Sequence, residues 1–183
     1  MEEAFLGGVR AVQLREKDLG GRDLFLLAEK LKTLCERYHA TLFVNDRVDV
    51  ALAIDAAGVH LGGGSMPVDA VRALVGGEKL IGVSTHSLKE AGAAEQAGAD
   101  FIVFGPIYFT PSKAAYGKPQ GPGVLKEVVE NHSLPVYAIG GIKSGHIPEL
   151  KATGCRGVAL ISAILSAERP RVATQEILTA LRS

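Results

Sequence analysis

The sequence predicts an α/β fold, a TIM (β/α)8-type barrel that lacks its first β-strand. Three observations carry this expectation. Short β-branched runs alternate with longer helical patterns from end to end, and strict alternation of this kind implies a parallel sheet with helices outside it. The fingerprints of the competing open, doubly wound sheet are missing: no G-x-G-x-x-G follows the first strand, and there is no G-x-x-x-x-G-K-S/T. Finally, Ala138-Ile-Gly-Gly-Ile142 and Ile161-Ser-Ala-Ile164 follow the last two strands, where a barrel builds its phosphate site.

Residues 1 to 8 read as the tail of a helix, which leads into a first visible strand at Ala11 to Leu14. Leu24, Leu27, Leu31 and Leu34 recur at helical spacing and predict a helix over Asp23 to Tyr38. Strands follow at Thr41 to Val44 and Gly58 to Leu61, then a helix at Val68 to Leu74 and a strand at Leu80 to Val83. The capping sequence Ser87-Leu-Lys-Glu90 opens a helix running to Ala97. Phe101 to Phe104 and Val136 to Ile139 are strands on either side of a helix at Gly123 to Glu130. A short helix at Ile147 to Ala152, a strand at Val158 to Ile161 and a helix at Thr174 to Leu181 complete the chain.

Seven strands are visible where a closed barrel has eight. Either the barrel is open at that seam, or another chain covers it, or the natural protein begins upstream of Met1. An uncovered seam invites pairing with a neighbouring chain, so a homo-oligomer is one expectation.

A chain of 183 residues, 47% of them hydrophobic, suffices for one well-buried domain spanning 1–183 and is short for two. Twenty basic residues balance twenty acidic ones, so the charge carries no footprint for nucleic acid or an anionic membrane surface. Any anion site must be local. Cys35 and Cys155 match no metal-ligand spacing, which favours two reduced thiols in a cytoplasmic protein. No apolar stretch reaches the roughly 18 residues of a membrane span, and the start Met-Glu-Glu lacks the basic region of a signal peptide.

Gln13, Arg15 and Lys17 stand at every second residue. In extended chain they point the same way, about 6.6 Å apart, as a row of donors. Such a row is either the solvated end of a strand or a grip for a polyanion such as pyrophosphate. Other polar groups end the neighbouring strands: Asn45-Asp46, Gly62-Gly-Gly-Ser65, Ser84-Thr-His86, and the run Gly105 to Lys113. Asp46 is the carboxylate placed beside the basic row. It could pair with Arg15 or Lys17, or supply one ligand of a Mg2+ that bridges a pyrophosphate. His60 and His86 carry no assigned role, and Cys35 sits in an apolar helical pattern where burial explains it.

Taken in order, Val12-Gln-Leu-Arg-Glu-Lys17, Phe43-Val-Asn-Asp-Arg-Val-Asp49, Gly58-Val-His-Leu-Gly62, Ile81-Gly-Val-Ser-Thr-His-Ser87, Gly98-Ala-Asp-Phe101, Phe104-Gly-Pro-Ile107, Thr110-Pro-Ser-Lys113 and Ala138-Ile-Gly-Gly-Ile142 resemble the successive motifs of the thiamin phosphate synthase family. The resemblance covers essentially the whole chain. It implies a (β/α)8 barrel that joins hydroxymethylpyrimidine pyrophosphate to thiazole phosphate, in a magnesium-dependent reaction that releases pyrophosphate.

Carried over by position, the resemblance implies that Gln13, Arg15, Lys17 and Asn45 hold the pyrophosphate, with Lys113 reaching it from the far side, and that Leu14 and Glu16 belong to the substrate-binding segment. Asp46 would bind Mg2+, and Ser84 would lie near the pyrimidine. Thr110, Pro111, Ser112, Gly141, Ile161 and Ser162 would receive the thiazole phosphate, while Arg15, Lys17, Ser84 and Lys113 would carry the catalytic roles. The loop from Thr110 to Pro122 reads as a lid.

One departure stands out. Where the synthases usually read Gly-Gln-x-Asp, this chain has Gly62-Gly-Gly-Ser65, so a second magnesium carboxylate is replaced by a serine. That change resembles the paralogous thiazole tautomerases, yet the histidine they place after the fifth visible strand is Pro106 here. A tautomerase-like paralogue and a silent thiazole phosphate binding protein are therefore the alternative readings.

Overall fold

The computed structural model describes residues 1–111 and 118–183. Seven strands form one sheet: β1 (Ala11–Leu14), β2 (Thr41–Asn45), β3 (Gly58–Leu61), β4 (Leu80–Thr85), β5 (Phe101–Phe104), β6 (Val136–Ile139) and β7 (Gly157–Ala159). Each pairs in parallel with its sequence neighbours, in the order β1 to β7. The helices are α1 (Glu2–Gly7), α2 (Gly21–Arg37), α3 (Val48–Ala53), α4 (Val68–Val75), α5 (Leu88–Gln96), α6 (Gly121–Asn131), α7 (Ile147–Ala152), α8 (Ser162–Leu165) and α9 (Pro170–Arg182).

Alternation along each strand decides which side chains meet helices and which line the interior. Leu42 and Val44 of β2, Val59 and Leu61 of β3, and Ile81 of β4 are buried with Leu24, Ala28 and Cys35 of α2. Ile102 and Phe104 of β5 and Val136 and Ala138 of β6 form a second cluster with Leu125 and Val128 of α6. The intervening residues face inward, and there Phe43, Phe101 and Tyr137 make edge contacts at centroid distances of 5.2 and 5.8 Å. These three rings pack together on the inner face of the sheet.

The helix layer closes where the strand layer does not. No pairing joins β1 to β7, but α1 packs on α9. Gly7 allows that approach, since a Cβ there would stand 2.6 Å from Thr174 Cβ and 2.8 Å from the Arg171 carbonyl.

Most expected elements stand where the sequence put them, and the departures have local causes. The last strand ends at Ala159, not Ile161, because Ile161 caps α8 and is 63% exposed. Helices α3 and α8 carry no periodic signal: α3, Val48-Asp-Val-Ala-Leu-Ala53, is apolar almost throughout, and α8 has only four residues. At α5 the Ser87 hydroxyl accepts from the Glu90 N–H as a cap should. The Glu90 carboxylate, however, accepts from the His86 N–H at 2.8 Å, one residue before the cap.

Candidate active site

The polar residues collect at the C-terminal ends of the strands, the end at which parallel barrels carry their sites. On the β1 to β3 side they form a continuous chain. Gln13 Nε2 donates to Asn45 Oδ1 at 2.7 Å, and Asn45 Nδ2 donates to Asp46 Oδ2 at 2.7 Å. The Ser65 hydroxyl closes on Asp46 Oδ1 and accepts from the Gly62 N–H at 2.6 Å. Asp46 adopts φ 60, the left-handed region that costs most residues but suits a short polar side chain. Its N–H donates to the His60 carbonyl at 3.0 Å, which fixes the turn.

Arg15 and Lys17 extend past the end of β1 and are exposed. Among the described residues no carboxylate pairs with either of them. The expected alternative, an Asp46 ion pair with this row, is therefore not what holds Asp46; neutral Asn45 and Ser65 do. Leu14 instead packs its side chain on the outer core, and Glu16 is exposed.

Deeper in the barrel, Ser84 of β4 meets a residue that the sequence left without a role. His60 is buried, and its Nε2 lies 2.8 Å from Ser84 Oγ. Burial pushes the imidazole down to about 4, with Asp46 pulling the other way and the Arg15 charge adding to the fall. The ring tilts against Phe101 at a centroid distance of 6.0 Å. Gly58-x-His60 on β3 and Gly82-x-Ser84 on β4, each with a glycine two residues before a polar group, mark the two residues singly in the sequence but not the contact between them.

Opposite, the loop after β5 lies along the loop after β6. Tyr108 N–H donates to the Gly140 carbonyl at 3.0 Å, and the Tyr108 hydroxyl donates to Glu149 Oε2 at 2.6 Å. The Tyr108 ring stacks on His146 at 3.9 Å. Burial, together with the Glu149 carboxylate, raises the phenol above its usual range. Gly141 has φ 65, and a Cβ there would stand 2.4 Å from the Phe109 carbonyl, so this crossing of loops requires glycine. Thr110 and Pro111 follow directly, while Ile161 and Ser162 sit exposed at the end of β7. Ser112, Lys113 and the central part of the expected lid lie outside the described residues.

The structure thus joins Gln13, Asn45 and Asp46 in one bonded chain, sets Ser84 against His60, and places Gly141 under the β5 loop. A parallel βα barrel whose Arg15 and Lys17 meet no carboxylate among the described residues, with a glycine-lined loop crossing at the same end, defines an enzyme class that handles phosphorylated small molecules.

The family model described as thiamine monophosphate synthase matches residues 1–164, and the chain belongs to that family. A Geobacter sulfurreducens protein, provisionally named a thiamine-phosphate synthase, is 52% identical over 181 residues, covering 99% of this chain and 85% of that one. The thiamine-phosphate synthase of Clostridium novyi is 42% identical over 165 residues, covering 90% of this chain and 81% of its own length. Among solved structures, the thiamine phosphate pyrophosphorylase of Pyrococcus furiosus superposes with a TM-score of 0.91 at 39% identity, covering 99% of this chain and 87% of that one. A 3-hexulose-6-phosphate synthase shares the fold with a TM-score of 0.71 at 21% identity.

Proposed function

We propose that this chain is a thiamin phosphate synthase, a transferase that couples hydroxymethylpyrimidine pyrophosphate to thiazole phosphate and releases pyrophosphate in thiamin biosynthesis. The observation that carries the reading is the pair of exposed cations, Arg15 and Lys17, which among the described residues stand without carboxylate partners beside the Gln13, Asn45 and Asp46 chain. A monophosphate does not need so many donors. A leaving pyrophosphate does.

In the coupling, the bond between the pyrimidine methylene carbon and the pyrophosphate oxygen breaks, and the electron pair leaves with the oxygen. The thiazole nitrogen then gives its lone pair to the cationic methylene. Gln13, Arg15, Lys17 and Asn45 hold the departing group, with Lys113 completing the clamp. Ser84 faces the pyrimidine, while Thr110 to Ser112, Gly141, Ile161 and Ser162 take the thiazole phosphate. No general base is required, and burial makes the His60 imidazole a weak one, its pKa pushed down to about 4.

The residues fit a Mg2+ that arrives with the pyrophosphate better than a resident ion. Asp46 would be its carboxylate ligand and Ser65 a neutral oxygen donor, while the described residues hold no group of three or more His, Cys, Asp or Glu that could bind a metal by themselves. When bound, Mg2+ supplies charge neutralisation on the leaving group. The cytoplasm is the compartment we assign, where the unpaired thiols of Cys35 and Cys155 stay reduced.

The direct test mixes purified protein with both substrates and Mg2+ and follows thiamin phosphate. Product formation is expected. Tight binding of thiazole phosphate with no product would sink the transferase reading in favour of a binding protein or tautomerase. Arg15→Ala removes one fixed donor to the developing anion and is expected to slow coupling by about 10²- to 10³-fold.

A further inference from the structure

We propose that His60 is a positioning residue for this reaction, orienting the Ser84 hydroxyl toward the pyrimidine from inside the barrel. The inference rests on the synthase reading of the site. A serine hydroxyl rotates freely and can donate or accept in several directions. Here His60 Nε2, 2.8 Å from Ser84 Oγ, takes up one of those directions and leaves the others defined for a ligand.

The imidazole is itself fixed. Phe101 stands beside it at 6.0 Å between centroids. At Gly82, the residue paired with His60 across the β3 to β4 ladder, a Cβ would stand 2.8 Å from His60 Nδ1 and 2.2 Å from Phe101 Cζ. Glycine, phenyl and imidazole are therefore a fitted set. The His60 carbonyl also accepts the Asp46 N–H at 3.0 Å, so one residue braces both the Ser84 and the Asp46 ends of the site. An imidazole suits the place because it offers a hydrogen-bonding nitrogen without the permanent charge of Lys or Arg, which would oppose a methylene that becomes cationic.

A double-mutant cycle separates this role from simple packing. His60→Ala, Ser84→Ala and the double variant are compared by steady-state coupling kinetics with each substrate varied in turn. Expected is a roughly tenfold to hundredfold fall in kcat for His60→Ala, with the KM for thiazole phosphate within about twofold of the parent. The double variant should be no slower than Ser84→Ala by more than about twofold, because both changes remove one interaction. His60→Gln, which keeps a side-chain amide near the position of Nε2, should recover most of the loss.

Losses that multiply, a thiazole phosphate KM that rises as much as kcat falls, or a glutamine variant no better than alanine would each overturn the proposal. Should His60→Ala fail to fold, His60→Leu, which fills the space without a hydrogen-bonding nitrogen, is carried through the same cycle, where losses that multiply with Ser84→Ala overturn it and losses that do not multiply support it. If the parent makes no thiamin phosphate, the synthase reading fails by itself. Calorimetric titration with the pyrimidine pyrophosphate then reads the same cycle, coupled losses supporting the role of His60 and additive ones ending it.

Discussion

Ser65 occupies a place where a carboxylate would double the negative charge around Asp46. Its hydroxyl donates to Asp46 Oδ1, and its oxygen accepts from the Gly62 N–H at 2.6 Å. Ser65→Asp would set two carboxylates against each other, a repulsion that a hard dication relieves. The Mg2+ concentration for half-maximal coupling should fall about tenfold, and the Tm gain on adding Mg2+ should exceed that of the parent. If neither changes, the ion does not sit at Asp46. At this scale the sequence showed the residues that alternate along one strand end, Gln13, Arg15 and Lys17, and the adjacent Asn45 and Asp46. It could not show His60 bonded to Ser84, because that contact joins two strands 24 residues apart and depends on the register between them.

Elements meet here through a few residues whose size or charge is fixed by a neighbour. Gly82 of β4 is one, since Phe101 Cζ and Cε2 would lie 2.2 and 2.4 Å from a Cβ at that position. Gly82→Ala should destabilise the protein by about 1–3 kcal/mol through overpacking, and Phe101→Leu in the same chain should recover part of it. Thermal unfolding of the single and double variants checks this, and an unchanged Tm for Gly82→Ala would refute it. The link from α5 to the end of α6 is electrostatic. Hydrogen bonds from Ser133 and then His132 hold the Glu95 carboxyl down to about 2. Its stabilising contribution is complete above the ordinary glutamate value of 4.5 and is lost as pH falls toward 2. The Tm difference between parent and Glu95→Gln should therefore narrow across that window, and a constant difference would exclude the cause. Strands and long helices were legible from apolar runs and heptad-like spacing. Helices α3 and α8 were not, because the four residues of α8 complete barely one turn and Val48-Asp-Val-Ala-Leu-Ala53 in α3 has apolar residues all round with no helical spacing.

For the molecule as a whole, the seam between β1 and β7 sets the stability gradient. Each of these strands has one paired edge, whereas β2 to β6 have two. The side chains of β1 alternate between exposed and half-buried, while all four residues of β3 are buried. The contact of α1 with α9 spans the seam in the outer layer, where Phe5 of α1 shares a core cluster with Val12 and Leu14 of β1, and Ile177 of α9 shares one with Val158 of β7. Local opening follows solvent-exposed backbone bonds and thin packing, so the amides of β1 and β7 should exchange with deuterium well before those of β3, β4 and β5. This bears on function, because β1 carries Gln13 and leads into Arg15 and Lys17, so the cationic arm of the proposed pyrophosphate clamp stands on one of the two least supported strands. Binding of pyrophosphate with Mg2+ should then slow exchange in β1 more than in β4, since a ligand stabilises most the segment it holds and that opens most readily. Hydrogen exchange read by mass spectrometry, with and without the ligand, decides both points. Equal protection of β1 and β4 in the free protein would mean that the seam is covered in solution, and sedimentation at the same concentration would then show whether a second copy covers it.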